Sequence, residues 1–199
     1  MMKKSFFIVI DGIDGAGTTT HSGLLAGFLK ARKYKVHLTQ EPSSSEIGDI
    51  LRKFLKKPDI PPCTDALLFA ADRSLHYFNE IKKKLDEGCI VISDRYVESS
   101  IIYQSTQSDK VSIEWVKEIN KFAGEPDLTI ILDIDPKISL ARKTQENLEK
   151  FENTTFLDSV RELYLKRAEQ NGYYVINSNE IIEIVQEKIQ NLVINKLKQ

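Results

Sequence analysis

The chain has 199 residues, 41% of them hydrophobic and 29% charged, a composition that suits one compact domain with an ordinary core. Lys plus Arg number 28 against Asp plus Glu 29, and this near balance gives no electrostatic reason to expect nucleic acid as a partner. Cys63 and Cys89 stand without a C-x-x-C spacing or nearby histidines, which argues against a zinc site and fits reduced thiols.

The first apolar run, Phe6 to Ile10, stops at Asp11 and is too short for a secretory signal. No other stretch is long enough to span a membrane, so a cytoplasmic protein without a membrane partner is expected. Strands are predicted at Ser5 to Ile10, Lys35 to Thr39, Cys89 to Ser93, Leu128 to Ile134 and Tyr173 to Asn177. The first, third and fourth are nearly continuous in hydrophobicity, as when helices cover both faces of a parallel sheet. Amphipathic helical stretches separate them, and the pattern is that of a doubly wound α/β fold.

Between the first strand and a helix carrying Leu24, Leu25, Phe28 and Leu29 lies DGIDGAGTTTH, Asp11 to His21. A phosphate-binding loop reads G-x-x-x-x-G-K-[ST], and Gly12, Gly17 and Thr19 fall on their marks while Thr18 replaces the lysine. Gly12, Gly15 and Gly17 let the backbone turn and aim its N–H groups inward, and the N-terminus of the following helix adds its partial positive charge. Thr19 can present a hydroxyl to a magnesium ion. A glycine-rich turn that binds nothing is the alternative.

Thr64 to Glu87 is predicted as one long helix, with Leu67, Leu68, Ala71, Leu75, Phe78, Ile81 and Leu85 as its buried stripe and Gly88 closing it. Phe69 and Arg73, four apart, share a face that can meet one planar ligand; otherwise Phe69 is core and Arg73 surface. Asp94 and Arg95 follow the third strand, at the sheet edge where such folds bind ligands. They can serve a metal or an acceptor and a phosphate, or form an everyday ion pair. Asp135 and Pro136 read as N-cap and first-turn proline, and Ser178 or Asn179 as cap of a last helix striped by Ile181, Ile182, Val185, Ile189 and Leu192. The polar TQENLEKFENTT, Thr144 to Thr155, reads as a mobile segment. His21, His37, His76 and the Trp115 neighbourhood read as structural, and Lys56 to Lys57 and Lys82 to Lys84 as solvated faces.

In order and spacing, DGIDGAG, QEPSSSEIGDILR, LLFAADR, DRYVESSIIYQ, PDLTIILDIDP and KFE together resemble the thymidylate kinases. The resemblance implies a P-loop NTPase fold of three layers around a five-stranded parallel sheet, and transfer of the γ-phosphoryl of ATP to thymidine monophosphate with Mg2+. It implies that Gly12, Ile13, Asp14 and Gly15, with Ala16, Gly17, Thr18 and Thr19, hold ATP phosphates. It further implies Phe69 stacked on thymine, Arg73, Ser100 and Gln104 at the base edge, and Tyr103 near the deoxyribose. Asp14, Glu41 and Pro42 would border the monophosphate, with Arg52 near it. Arg95 would grip the acceptor phosphate, and Asp94 would act at the metal or orient the acceptor. Arg142 and Lys150 would lie in a lid of about 142–155, and the protein would be a homodimer of packed helices.

Thr18, Gln40 and Lys150 depart from the pattern, each removing charge or a bidentate fork near phosphate. Retained activity is the expectation, because Asp94, Arg95, Phe69, Arg73 and Gln104 persist. A broader pyrimidine kinase, a lapsed paralogue and a nucleotide-sensing regulator are the competing readings.

Overall fold

The five apolar runs become the strands of one sheet in a computed structural model that describes residues 5–57, 59–142 and 154–199. In chain order, β1 (Phe6–Gly12) leads into α1 (Thr18–Ala31), then β2 (Val36–Gln40), α2 (Glu46–Phe54) and α3 (Pro62–His76). A π-helical turn, Tyr77–Ile81, joins α3 to α4 (Lys82–Asp86); β3 (Ile90–Asp94), α5 (Val97–Gln107) and α6 (Ile113–Ile119) follow. The chain continues through β4 (Leu128–Asp133), α7 (Pro136–Ala141), α8 (Thr154–Asn171), β5 (Tyr174–Asn177) and α9 (Ile182–Leu197).

The strands lie in the order β2-β3-β1-β4-β5, and every neighbouring pair is parallel. Period-two alternation sends Ile8 and Ile10 into the core shared with α1, α8 and α9, and Phe7 and Val9 into a second cluster with Ile81, Val91 and Tyr96. Both faces are therefore covered, which is why β1, β3 and β4 carry almost no alternation in sequence. Fully burying each such Ile or Phe side chain stabilises the fold by about 1.5–3 kcal/mol.

The helical stretch from α3 to α4 departs from expectation in two ways. The π-helical turn interrupts the predicted 64–87 helix, although Gly88 does close it with φ +74. More importantly, Leu67 (53% exposed), Leu75 (38%) and Phe78 (48%) of the predicted stripe face outwards. The buried face of α3 is Asp65, Ala66, Ala70, Asp72, Arg73 and His76, because the helix turns its polar side towards partners on neighbouring elements.

Capping is mixed. Asp135 caps α7, its Oδ1 accepting from Lys137 N at 2.8 Å, and Pro136 opens the helix as expected. Neither Ser178 nor Asn179 caps α9; Ser178 N donates to Asp133 O and Asn179 Oδ1 accepts from Asp135 N, so both tie β4 to the far side of β5. Leu24 on α1 and Ile181 and Ile182 at the start of α9 are exposed, and Val185, Ile189 and Val193 carry the α9 core contact. The segment from Thr144 lies outside the described residues as far as 153, and α8 begins within its end, at Thr154.

A buried ion pair ties α5 to α8. Arg167 donates to Glu98 through Nε at 2.6 Å and Nη2 at 2.7 Å, and Tyr173 Oη adds a third bond at 2.9 Å. Glu98→Gln strands the Arg167 charge and is expected to lower the unfolding free energy in urea by about 3–5 kcal/mol. Glu98→Leu with Arg167→Met, which removes both charges, is expected to recover most of that loss.

Candidate active site

The loop after β1 is shaped by backbone that side chains would obstruct. Gly15 has φ +80, and a Cβ there would stand 2.8 Å from Ser139 Oγ. Gly17, at φ +93, starts α1 with no side-chain cap. The N–H groups of Gly15, Gly17, Thr18 and Thr19 meet no acceptor among the described residues. Four donors at the positive end of a 14-residue helix form an anion cradle that needs no lysine to exist.

Thr18 is only 7% exposed and makes no hydrogen bond to a side chain among the described residues. Arg142 shares its cleft of about 910 Å3, with Nη1 at 3.4 Å from Gly15 O and Nη2 at 3.1 Å from Ser178 O. Asn179 to Glu183 form the outer wall. Lys150, like Lys143, lies outside the described residues.

The two residues assigned to metal meet. Asp94 ends β3, and its Oδ2 accepts a hydrogen bond from Thr19 Oγ1 on the first turn of α1. Asp94 Oδ1 is buried without a hydrogen-bond partner. A carboxylate oxygen left open beside a hydroxyl fits a hard cation that keeps several waters, such as Mg2+.

A second cleft, of about 270 Å3, lies between the loop, α3 and α5; Phe69, Arg73, Tyr103, Gln104 and the Glu41–Pro42 segment line it. Arg73 is neither a surface residue nor a free one. It is 1% exposed, and its guanidinium donates to Glu41 Oε2 (2.7 Å), Asn120 Oδ1 (2.6 Å), Tyr96 O (3.1 Å) and Ser100 Oγ (2.9 Å). Gln104 Oε1 is buried and unpartnered in the same lining. Arg52 is held by the carbonyls of Pro42 (3.1 Å) and Ser43 (2.8 Å) and by Asp49 (2.6 Å).

Asp14 and Arg95 line both clefts. Arg95 Nη2 donates to Asp14 Oδ1, and its guanidinium lies 5.5 Å from the centre of the Tyr103 ring, whose hydroxyl accepts from Asp14 N at 3.0 Å. Burial pulls the Arg95 pKa down, but Asp14 together with Tyr103, Tyr164 and Asp11 outweighs it and keeps the guanidinium ionised. Burial pushes the Tyr103 hydroxyl up, so it stays a neutral hydrogen-bonding group.

Sequence reasoning missed the support beneath this site. Asp11, fully buried, accepts from Gly12 N (2.8 Å), Ser99 Oγ (2.6 Å) and Tyr164 Oη (2.7 Å), and Ser139 Oγ donates to Asp14 O. The signal was an acidic residue ending an otherwise apolar strand; nothing in sequence points from it to Tyr164. His37 and His76 have carboxylate partners after all, Glu80 at 2.8 Å and Glu41 at 3.2 Å.

A parallel sheet with an N–H cradle between its first strand and first helix, and an acid and a hydroxyl meeting beside it, defines a P-loop nucleotide-binding protein. The sequence profile of the thymidylate kinase family matches residues 10–189. A probable thymidylate kinase of Pyrobaculum aerophilum is 46% identical over 189 residues, covering 94% of this chain and 95% of the relative. Another from Pyrobaculum calidifontis is 49% identical over 174 residues (86% and 87%), and one from Methanothermobacter thermautotrophicus 40% identical over 190 (94% and 93%). The chain belongs to the thymidylate kinase family.

Burial raises the pKa of Asp11 above 3.8, against the Arg95 charge and the bonds from Ser99, Tyr164 and Gly12. Its native carboxyl thus holds a proton at pH values where the unfolded one has lost it, and its contribution to stability declines as pH rises through the native value. Tyr164→Phe removes a donor to the carboxylate and raises that value further. The variant is expected to lose about 1–3 kcal/mol at neutral pH and less as pH falls towards 3.8, measured by urea unfolding across pH.

Proposed function

We propose that this protein transfers the γ-phosphoryl group of ATP to thymidine monophosphate, giving ADP and thymidine diphosphate. The observation that carries the reading is the sharing of Asp14 and Arg95 by the two clefts: a phosphate in either one faces the same guanidinium. In this reading Gly12 to Thr19 cradle the donor phosphates and Arg95 grips the acceptor phosphate. Phosphoryl transfer asks mainly for alignment and for cations around the moving group, and no covalent nucleophile is needed.

The base pocket is suited to a pyrimidine with a carbonyl at C4 and an N–H at N3. Arg73 is a donor for O4, the open Gln104 carbonyl is an acceptor for N3–H, and Phe69 offers a stacking face. Cytosine presents the reverse pattern, setting its 4-amino group against the Arg73 N–H and its bare N3 against the unpartnered Gln104 carbonyl. Tyr103 packs near the sugar, and Glu41, Pro42, Ser100 and Arg52 set the walls. Thr19 and Asp94 would hold Mg2+, which supplies charge neutralisation on the phosphates when bound.

We take residues 1–199 to work as one domain with a lid of about 142–155. Arg142, Lys143 or Lys150 takes over part of the charge that Thr18 does not bring. A cytoplasmic location and no nucleic-acid partner accompany this reading; no helix among the described residues is long and apolar enough to cross a membrane. The outward Leu67 and Leu75 of α3, with Phe78 of the π-helical turn, support a homodimer built on that face.

With ATP and Mg2+, ADP release coupled to NADH oxidation is expected to require thymidine monophosphate; no release above background at high enzyme concentration would falsify the assignment. Alanine at Arg142, Lys143 and Lys150 together is expected to lower kcat by about a hundredfold. Light scattering on a sizing column is expected to give twice the chain mass, and Leu75→Glu with Phe78→Glu to give the monomer.

A further inference from the structure

The guanidinium at the base pocket is held by a row of charged groups that phosphoryl transfer does not use. Arg73 Nε and Nη2 both lie 2.7 Å from Glu41 Oε2. The other oxygen, Glu41 Oε1, is 3.2 Å from Nδ1 of His76. His76 is buried one turn beyond Arg73 on α3, and it does not line the acceptor cleft. Its Nε2 is 2.7 Å from Thr39 Oγ1 on β2 and 3.7 Å from Glu80 Oε1 in the π-helical turn. Glu80 meets His37 Nε2, also on β2, at 2.8 Å. The row therefore runs from the β2 edge of the sheet inwards to the base pocket.

Charge balance explains why a histidine stands there. Facing His76 are the carboxylates of Glu41 from the β2 loop, Asp72 from α3 and Glu80 from the π-helical turn; Arg73 is the one permanent cation of the group, and His37 lies beyond Glu80. Asp72 is held by Ser43 N (2.7 Å), Ser43 Oγ (2.5 Å) and Ser45 Oγ (2.7 Å), away from Arg73. A second positive charge at His76 sets two cations against the three carboxylates and leaves Glu41 bridging both, each cation fixing one of its oxygens. Burial pulls the imidazole down, but the Glu41 bond and the charges of Glu41, Glu80 and Asp72 outweigh it, and the proton is held above 6.5.

We propose that His76 is a positioning residue for base recognition: by holding Glu41 from the side opposite Arg73, it fixes the guanidinium in the orientation that meets the pyrimidine O4. This rests on the assignment of the acceptor cleft to thymidine monophosphate. His76 touches neither nucleotide, so its effect appears in acceptor binding and leaves the donor site alone.

The test uses the whole protein and thymidine as probe, since the nucleoside carries no titrating phosphate. Calorimetry is expected to show thymidine affinity falling as pH rises from 6.5 to about 9, as His76 gives up its proton. His76→Gln is expected to weaken thymidine binding at pH 6.5 by about tenfold and to abolish the pH step. In steady-state assays the same variant raises KM for thymidine monophosphate while kcat and ATP affinity stay within about twofold. Glu80→Gln, at a half-exposed site that tolerates the change, moves the step to lower pH, because it removes a charge that favours the protonated imidazole.

Unchanged thymidine affinity in His76→Gln, a pH step that survives it, or a parallel loss of ATP binding that marks general unfolding would each overturn the proposal. If the unmodified protein binds ATP but neither thymidine nor its monophosphate, the acceptor assignment itself fails and this inference with it. Binding by the unmodified protein with no response to His76→Gln overturns this inference alone.

Discussion

Everything at the site depends on the register of three parallel strands. Ile10 on β1 and Gln40 on β2 both pair with Asp94 on β3, so β2 and β3 end level and β1 runs two residues further, to Gly12. The ladder even runs one step further, with Arg95 N donating to Ile10 O at 2.9 Å and Glu41 N to Asp94 O at 3.0 Å. Three loops distant in sequence are thereby delivered to one edge with backbone precision, and the side chains that follow each strand have little choice but to meet. Arg95 pairs with Asp14, and Thr19 reaches Asp94. A slip of one residue in the β1–β3 register would turn these side chains to opposite faces.

How much was legible in sequence follows from the same distinction between local and long-range causes. The strands could be read because burial on both faces leaves a continuous apolar run, and the phosphate loop because its glycines answer a local backbone demand. The α3 face could not. Its apolar stripe points outwards and its polar residues inwards, since Arg73, Asp72 and His76 find partners on β2, the loop after it and α5. Hydrophobic periodicity assumes that the core is apolar, and here the helix packs against a polar site. The link from Asp11 to Tyr164 spans 153 positions; it is set by where α8 crosses the sheet, which no local pattern encodes.

A buried arginine is costly unless its donors are met, and Arg73 illustrates how the fold meets that condition. Glu41 cancels its charge, while Asn120, Ser100 and the Tyr96 carbonyl, from the end of α6 and from α5 and its start, take three more of its five N–H groups and leave one on Nη1 for a ligand. Asn120 is itself locked by a bond from Nδ2 to Val116 O at 2.8 Å. The guanidinium is thus oriented before any ligand arrives, and little rotamer entropy is left to lose on binding. Thr18 fits a similar economy at the other cleft, where backbone donors and Arg142 frame the phosphate position without a side-chain lysine.

Asp14 and Arg95 stand in the lining of both clefts, and this has a consequence for measurement as well as for chemistry. A ligand that draws Arg95 away from Asp14 alters the electrostatic surroundings of the neighbouring cleft at the same moment. The two occupancies are linked, and by thermodynamic reciprocity the factor by which one nucleotide changes the affinity of the other is the same in either order of addition. A binding constant obtained for either ligand alone therefore describes half of a cycle.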